Sequence, residues 1–215
     1  MSNRKNLKEI QIARAFAILA VLCVHGFSNA ITNLDNSSMF YPVYNLLNSV
    51  GKLGTPTFIM LSSFILFYTY YQYPINKQFI WRFFKKRIKF ILVPYMFFSL
   101  FYFLFKWFYI DEISYTSFSA VLEKLQFYLV YGKAHPHLYF VIISIQFYLF
   151  FPLMLWIIKK SHFVRKYAII IGIFIQAIWI FMNRQYFQVE FKGSVALSYA
   201  TFYFLLFRGL YRGSL

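Results

Sequence analysis

Two residues stand out because hydrocarbon should reject them. Arg14 and His25 fall inside one apolar stretch, which runs from about Ile10 to Ile31. They are eleven positions apart, so on an α-helix they differ by about 20° in direction and about 16 Å along the axis. Both therefore face the same side, with Arg14 near the basic N-terminal end and His25 deeper. An ionisable residue within a membrane segment points to function, because holding it there costs about 3 kcal/mol or more. Imidazole suits general-base work, since its ordinary pKa lies near neutral pH. A guanidinium suits a phosphate, which it grips through two parallel hydrogen bonds. The pair is the arrangement expected where a phosphate-rich donor enters from the cytoplasm with its reactive end pointing outward. The competing reading has Arg14 snorkelling to lipid headgroups and His25 serving as a packing residue.

Other candidates are spread along the chain. In Arg82-Phe-Phe-Lys85-Lys86-Arg87-Ile-Lys89, a helical period puts Arg82, Lys86 and Lys89 broadly on one face. That face is either a docking site for donor phosphates or an anchor to headgroups. His135-Pro136-His137 lacks a third ligand at metal-binding spacing, so no metal is expected. His137 is instead expected as a polar contact at an outer mouth, and His162 as a solvated loop residue. Gln146 and Tyr148 precede Pro152, whose kink can open a cavity. Gly51, Gly54, Ser62 and Ser63 suit close helix packing and hydrogen bonds across helices. There is no Ser-His-Asp pattern, intramembrane carboxylate pair, dinucleotide fingerprint or phosphate-binding loop.

The elements that must position these residues are membrane helices. Apolar residues make up 60% of the 215 positions and aromatics 25%, while charged residues reach 13%. Too little polar surface remains to cover a soluble domain of this size. The composition excludes an ordinary soluble globule, a disordered chain and a disulfide scaffold, the last also because Cys23 is the only cysteine. The expected fold is all-α and polytopic, with about six spans. They run from about Ile10 to Ile31, Leu46 to Tyr71, Ile88 to Tyr109, Leu138 to Ile158, Tyr167 to Met182 and Val195 to Phe207. Ser117–Tyr131 carries Glu123, Lys124 and Gln126 and is expected as an interfacial or re-entrant helix.

The net charge of +16 suggests a nucleic-acid partner until position is considered. With the N-terminus inside, 16 of the 22 basic residues fall on cytoplasmic segments, where Glu9 is the one acid. That alternation gives a cytoplasmic N-terminus, an extracytoplasmic connection at 111–136, membrane lipid as a partner and no nucleic acid. Ser28-Asn29-Ala30 could pass for a signal cleavage site, but Arg14 interrupts the apolar run before it.

Several blocks carry a family resemblance. Arg14-Ala-Phe-Ala-Ile-Leu-Ala-Val-Leu-Cys-Val-His25 resembles the first-helix Arg-x10-His motif of the acyltransferase-3 family of integral membrane acyltransferases. Phe58-Ile-Met-Leu-Ser-Ser-Phe-Ile-Leu66 resembles its second-helix Phe-x-x-Leu-Ser-Gly-Phe pattern. Arg87-Ile-Lys-Phe-Ile-Leu-Val-Pro94-Tyr95 looks like its basic third-helix entry, and Tyr139 to Pro152 is similar to its fourth block. The branch that the chain resembles most is associated with O-succinylation of the biofilm poly-N-acetylglucosamine adhesin, for which an export role has also been proposed.

The resemblance implies a single integral membrane domain over 1–215. It would move an acyl group, acetyl or succinyl, from cytoplasmic acyl-coenzyme A to a hydroxyl of a surface or exported carbohydrate at the cell membrane. No bound cofactor is expected, and a polysaccharide synthase is the expected protein partner. By position, His25 would be the catalytic histidine. Arg14, Arg82, Lys86, Arg87 and Lys89 would hold donor phosphates, with His137 and Tyr148 on the acceptor side. Ser62-Ser63 replaces the family's Ser-Gly, and Ser144 stands where many members carry Glu. The family has about ten helices, so the chain is expected to be a shortened product. A polysaccharide exporter and an inactive fragment are the alternatives.

Overall fold

A computed structural model describes residues 8–35, 37–109, 117–189 and 191–205. Arg4, Lys5, Asp111, Glu112, Glu190, Arg208 and Arg212, which enter the charge argument, lie outside the described residues. So do positions 206–207 of the sixth expected span.

Regular structure among the described residues is helical. The helices are α1 (Lys8–Asn33), α2 (Tyr41–Gly51), α3 (Gly54–Tyr70), α4 (Lys77–Arg87) and α5 (Val93–Tyr109). They are followed by α6 (Phe118–Tyr131), α7 (Tyr139–Lys160), α8 (His162–Met182) and the short α9 (Ala200–Phe204). Among the described residues, five stretches are long and apolar enough to cross a membrane: Lys8–Asn33, Tyr41–Tyr70, Lys77–Tyr109, Pro136–Lys160 and His162–Phe187. The chain is an all-α polytopic membrane protein. Many of its large apolar side chains point outward, as lipid allows. On α1, Ile12, Phe16, Leu19 and Leu22 are exposed, while the small Ala17 and Val21 are buried.

Some spans are longer than their apolar cores because capped or charged turns extend them. Asn76 starts α4 by accepting the Phe79 amide at 2.8 Å. The basic cluster, expected in a connection, is therefore helical and runs straight into the third span. The junction is a widened π turn at Ile88–Leu92, where the Val93 amide donates to the Ile88 carbonyl. Pro94 follows at once and has no amide to donate, so a looser turn just before it costs little. The expected kink at Pro152 is not a break, since α7 is continuous through it. The departure comes at Tyr167 in α8, where φ is −108° and ψ is 15°. In the sixth expected span, residues 196–199 form a 3-10 turn and α9 adds five residues.

The described residues fall into two compact units, drawn from 1–69 with 201–205 and from 70–200. In the first, α1 lies close on the start of α3. A methyl group at Gly54 would sit 2.8 Å from the Ala17 carbonyl oxygen. Ser63 is wholly buried and donates to the Tyr203 carbonyl at 2.6 Å. Gly54 and Ser63 of the second span thus have the packing role expected of them.

In the second unit, Tyr95, Phe103, Tyr128, Ala134, Leu138 and Ile142 form a core joining α5, α6 and the start of α7. Ser117 caps α6 by accepting the Ala120 amide, and Gly132 ends it with φ of 66°. Only glycine fits there, because an added methyl would also lie 2.8 Å from the Tyr139 Cα.

Candidate functional site

In the first unit, Arg14 and His25 lie on α1, in line with Ala17 and Val21 rather than with the exposed Phe16 and Leu22. Both are partly buried, and the Nε of Arg14 and Nε2 of His25 are shielded from the surface. Arg14 donates from Nη1 to the Gln11 side-chain oxygen at 3.1 Å, and its guanidinium stands 5.1 Å from the Phe58 ring centre on α3. The arginine is therefore turned along the protein. One turn beyond His25, Ser28 accepts from the amide of the buried Asn48 on α2 at 3.4 Å. Ser28 in turn donates to the Val24 carbonyl at 2.7 Å. Sequence reasoning did not pick out Asn48, whose polarity within an apolar helix was the available signal.

In the second unit, the basic cluster divides between exposed and partly buried members. Arg82, Lys86 and Lys89 are exposed, and Arg87 is the member turned inward. Its Nη1 donates to the Tyr70 hydroxyl at 3.1 Å. The guanidinium lies 4.2 Å from the Phe83 ring centre, 5.3 Å from that of Tyr70 and 5.4 Å from that of Tyr148. Phe83 also stacks on Phe151 at 5.3 Å. Tyr148, expected on the acceptor side, thus stands against a donor-side candidate. A guanidinium among aromatic faces is fixed in orientation, as suits a phosphate ligand.

His137 is partly buried, and its Nδ1 is hydrogen-bonded to the Nδ1 of His135 at 2.7 Å, the ring tautomers deciding which one donates. The Tyr102 ring lies 4.4 Å from His135 and 5.8 Å from His137, centre to centre. Tyr102 is seven residues before the end of α5, or about 10 Å along its axis. The pair thus sits beside the middle of α5. His162 is exposed at the start of α8.

Gln146 has a fixed task. Its Nε2 donates to the Ser194 carbonyl at 2.9 Å, and its Oε1 accepts from the Ala196 amide at 2.8 Å. Ser144 is turned to its own helix and donates to the Phe140 carbonyl at 3.1 Å. Neither residue stands in for the carboxylate that many members of the resembled family carry in this block.

The family model described as an acyltransferase domain matches residues 7–209, nearly the whole chain. No curated protein and no solved structure matches it. With the helices, the inward-turned Arg14 and His25 and that match together, the chain is a multi-pass membrane protein belonging to the acyltransferase-3 family.

Proposed function

We propose that this acyltransferase moves an acetyl or succinyl group from cytoplasmic acyl-coenzyme A to a hydroxyl of a cell-surface or exported carbohydrate. His25 is the general base. Its imidazole takes the proton of the acceptor hydroxyl as the oxygen attacks the thioester carbonyl. The carbon–sulfur bond then breaks, and the proton passes to the departing thiolate, so the step needs no other reactant. Arg14, Arg82, Lys86, Arg87 and Lys89 serve the donor phosphates, and His137 serves the acceptor side. Tyr148 is grouped with Arg87, beside which it stands.

The observation that carries this reading is the family match together with the place of His25, partly buried and with a shielded ring nitrogen, on the membrane helix that also carries Arg14. We place the protein in the cell membrane with its N-terminus inside, serving a biofilm glycan of the poly-N-acetylglucosamine type alongside a polysaccharide synthase.

The test is the ester content of the surface glycan, by mass spectrometry, in cells carrying the native chain, its His25→Ala variant, or neither. Ester is expected with the native chain and at background with the variant. Ester unchanged in the variant overturns the role of His25. More surface glycan without ester, regardless of His25, indicates export instead of transfer.

A further inference from the structure

One side of α8 is hollowed. A groove of about 440 Å³ runs along it, walled by the rings of Phe163, Tyr167 and Phe174 and by four isoleucines between 170 and 178. Its walls expose no polar atom. Phe163 and Ile178 are fifteen positions apart, or about 22 Å along a helix. That length suits an extended chain better than a compact ligand, and it lies within the His162–Phe187 span. The groove begins at the bend in α8, where the Phe163 and Tyr167 rings lie 4.8 Å apart beside the non-helical backbone of Tyr167. Isoleucine is stiff at its first side-chain torsion, so the walls keep their shape.

The lining decides what kind of occupant fits. Helices that pack together in lipid meet through small residues, or through polar side chains that hydrogen-bond across the contact. The small residues Ala168 and Gly172 of α8 are buried, whereas the groove is made of bulky residues and offers no hydrogen bond. Another helix would rest on the ring edges and leave the hollow beneath without dispersion contacts. A flexible hydrocarbon chain fills it.

Charge marks one end. Lys166 is exposed, and its Nζ lies 5.2 Å from the centre of the Tyr167 ring. On a helix it also neighbours Phe163 and Ile170, three and four residues away. The sequence has no Asp or Glu between Glu123 and Glu190, so neither α7 nor α8 brings a carboxylate to this ammonium. An ammonium at the mouth of an apolar groove matches a negative headgroup above an acyl chain.

We propose that the α8 groove binds one anionic phospholipid, with an acyl chain along 163–178 and the headgroup phosphate at Lys166. The site stands apart from acyl transfer, since acetyl and succinyl groups are too short to fill it.

The test uses the full chain in nanodiscs of mixed phosphatidylglycerol and phosphatidylcholine, each lipid supplied in turn with a photoreactive diazirine on one acyl chain. Cross-links are mapped by mass spectrometry, and ester formation is not read. Phosphatidylglycerol should label 163–178 about fivefold more than phosphatidylcholine, which is about what one lysine adds at an anionic surface. Lys166→Gln should abolish that preference, while Lys160→Gln, which removes the same charge from another exposed site, should keep it within about twofold. Ile170→Trp fills the groove and should lower labelling about fourfold, the worth of about one methylene contact. Leu19→Trp on the exposed side of α1 should leave it unchanged. If Ile170→Trp does not yield monodisperse protein, Phe174→Ala removes a wall instead, with the same loss expected. Labelling spread evenly over the exposed faces of α1, α5 and α8 would mean bulk lipid only and overturn the proposal. Cross-links between two copies of the chain through α8 in place of lipid, or an equal loss of preference in Lys160→Gln, would overturn it as well.

Discussion

The hydroxyl of Tyr95 on α5 donates to the Leu129 carbonyl near the end of α6 at 2.7 Å. That contact draws the end of a fourteen-residue helix to a point fourteen positions before the end of α5. At about 1.5 Å per residue, this is about 21 Å back along α5 from Tyr109. The Phe103 and Tyr128 rings meet edge to face at 5.9 Å on the same seam. The chain after α6 therefore starts α7 beside the middle of α5, which is why His135 and His137 reach Tyr102.

Removing that hydroxyl should loosen α6 selectively. We expect Tyr95→Phe to cost about 1 kcal/mol, the usual net worth of a hydrogen bond. Hydrogen exchange should rise across 118–131 and stay unchanged in α1. Uniform exchange throughout would show that the bond does not hold the helix.

Gln146 should be intolerant of apolar replacement. Gln146→Leu leaves the Ser194 carbonyl and Ala196 amide without their side-chain partner, at about 1–3 kcal/mol each where they stay dry. Gln146→Glu keeps the acceptor for Ala196 and loses the donor for Ser194, so it should be the milder change. Thermal unfolding in detergent ranks the two, and the reverse order refutes the clamp.

Gly54→Ala probes the approach of α1 to α3. The new methyl meets backbone at 2.8 Å, which cannot swing aside, so α1 must shift. Overpacking of this kind costs about 1–3 kcal/mol. Ester formation should fall along with the melting temperature, because the same helix carries His25. An unchanged melting temperature would mean that the helices separate without cost.

Arg87→Lys should not rescue Arg87→Ala. Lysine keeps the charge but cannot lie flat among Phe83, Tyr70 and Tyr148 while donating to the Tyr70 hydroxyl. We expect both variants to lose ester formation by about tenfold or more if the stacked guanidinium binds the donor. A lysine variant with native activity would show that charge alone is needed.

Apolar run length made the spans legible, because crossing lipid fixes how many residues must be apolar. The shared side of Arg14 and His25 followed from helical period within one unbroken helix. The basic cluster was harder, because its period passes into the π turn at Ile88, and nothing in local composition marks Arg87 as the inward member. The stacking of Tyr148 was illegible for a related reason: Arg87 lies 61 positions away. The Gln146 clamp joins positions 48 and 50 apart. Such pairings are set by how helices meet, and a one-dimensional pattern does not contain that.

The π turn at Ile88–Leu92 behaves as one residue inserted into an α-helix. Each residue turns an α-helix by about 100°, so the extra one sets the phase between everything before it and everything after it. Upstream, Arg87 is clasped by aromatic rings, and downstream Tyr95 is tied to Leu129. Both fittings hold at once only with that offset. Deleting one residue there would restore regular pitch and leave the helix a choice between its two moorings, like a key cut one notch out of step.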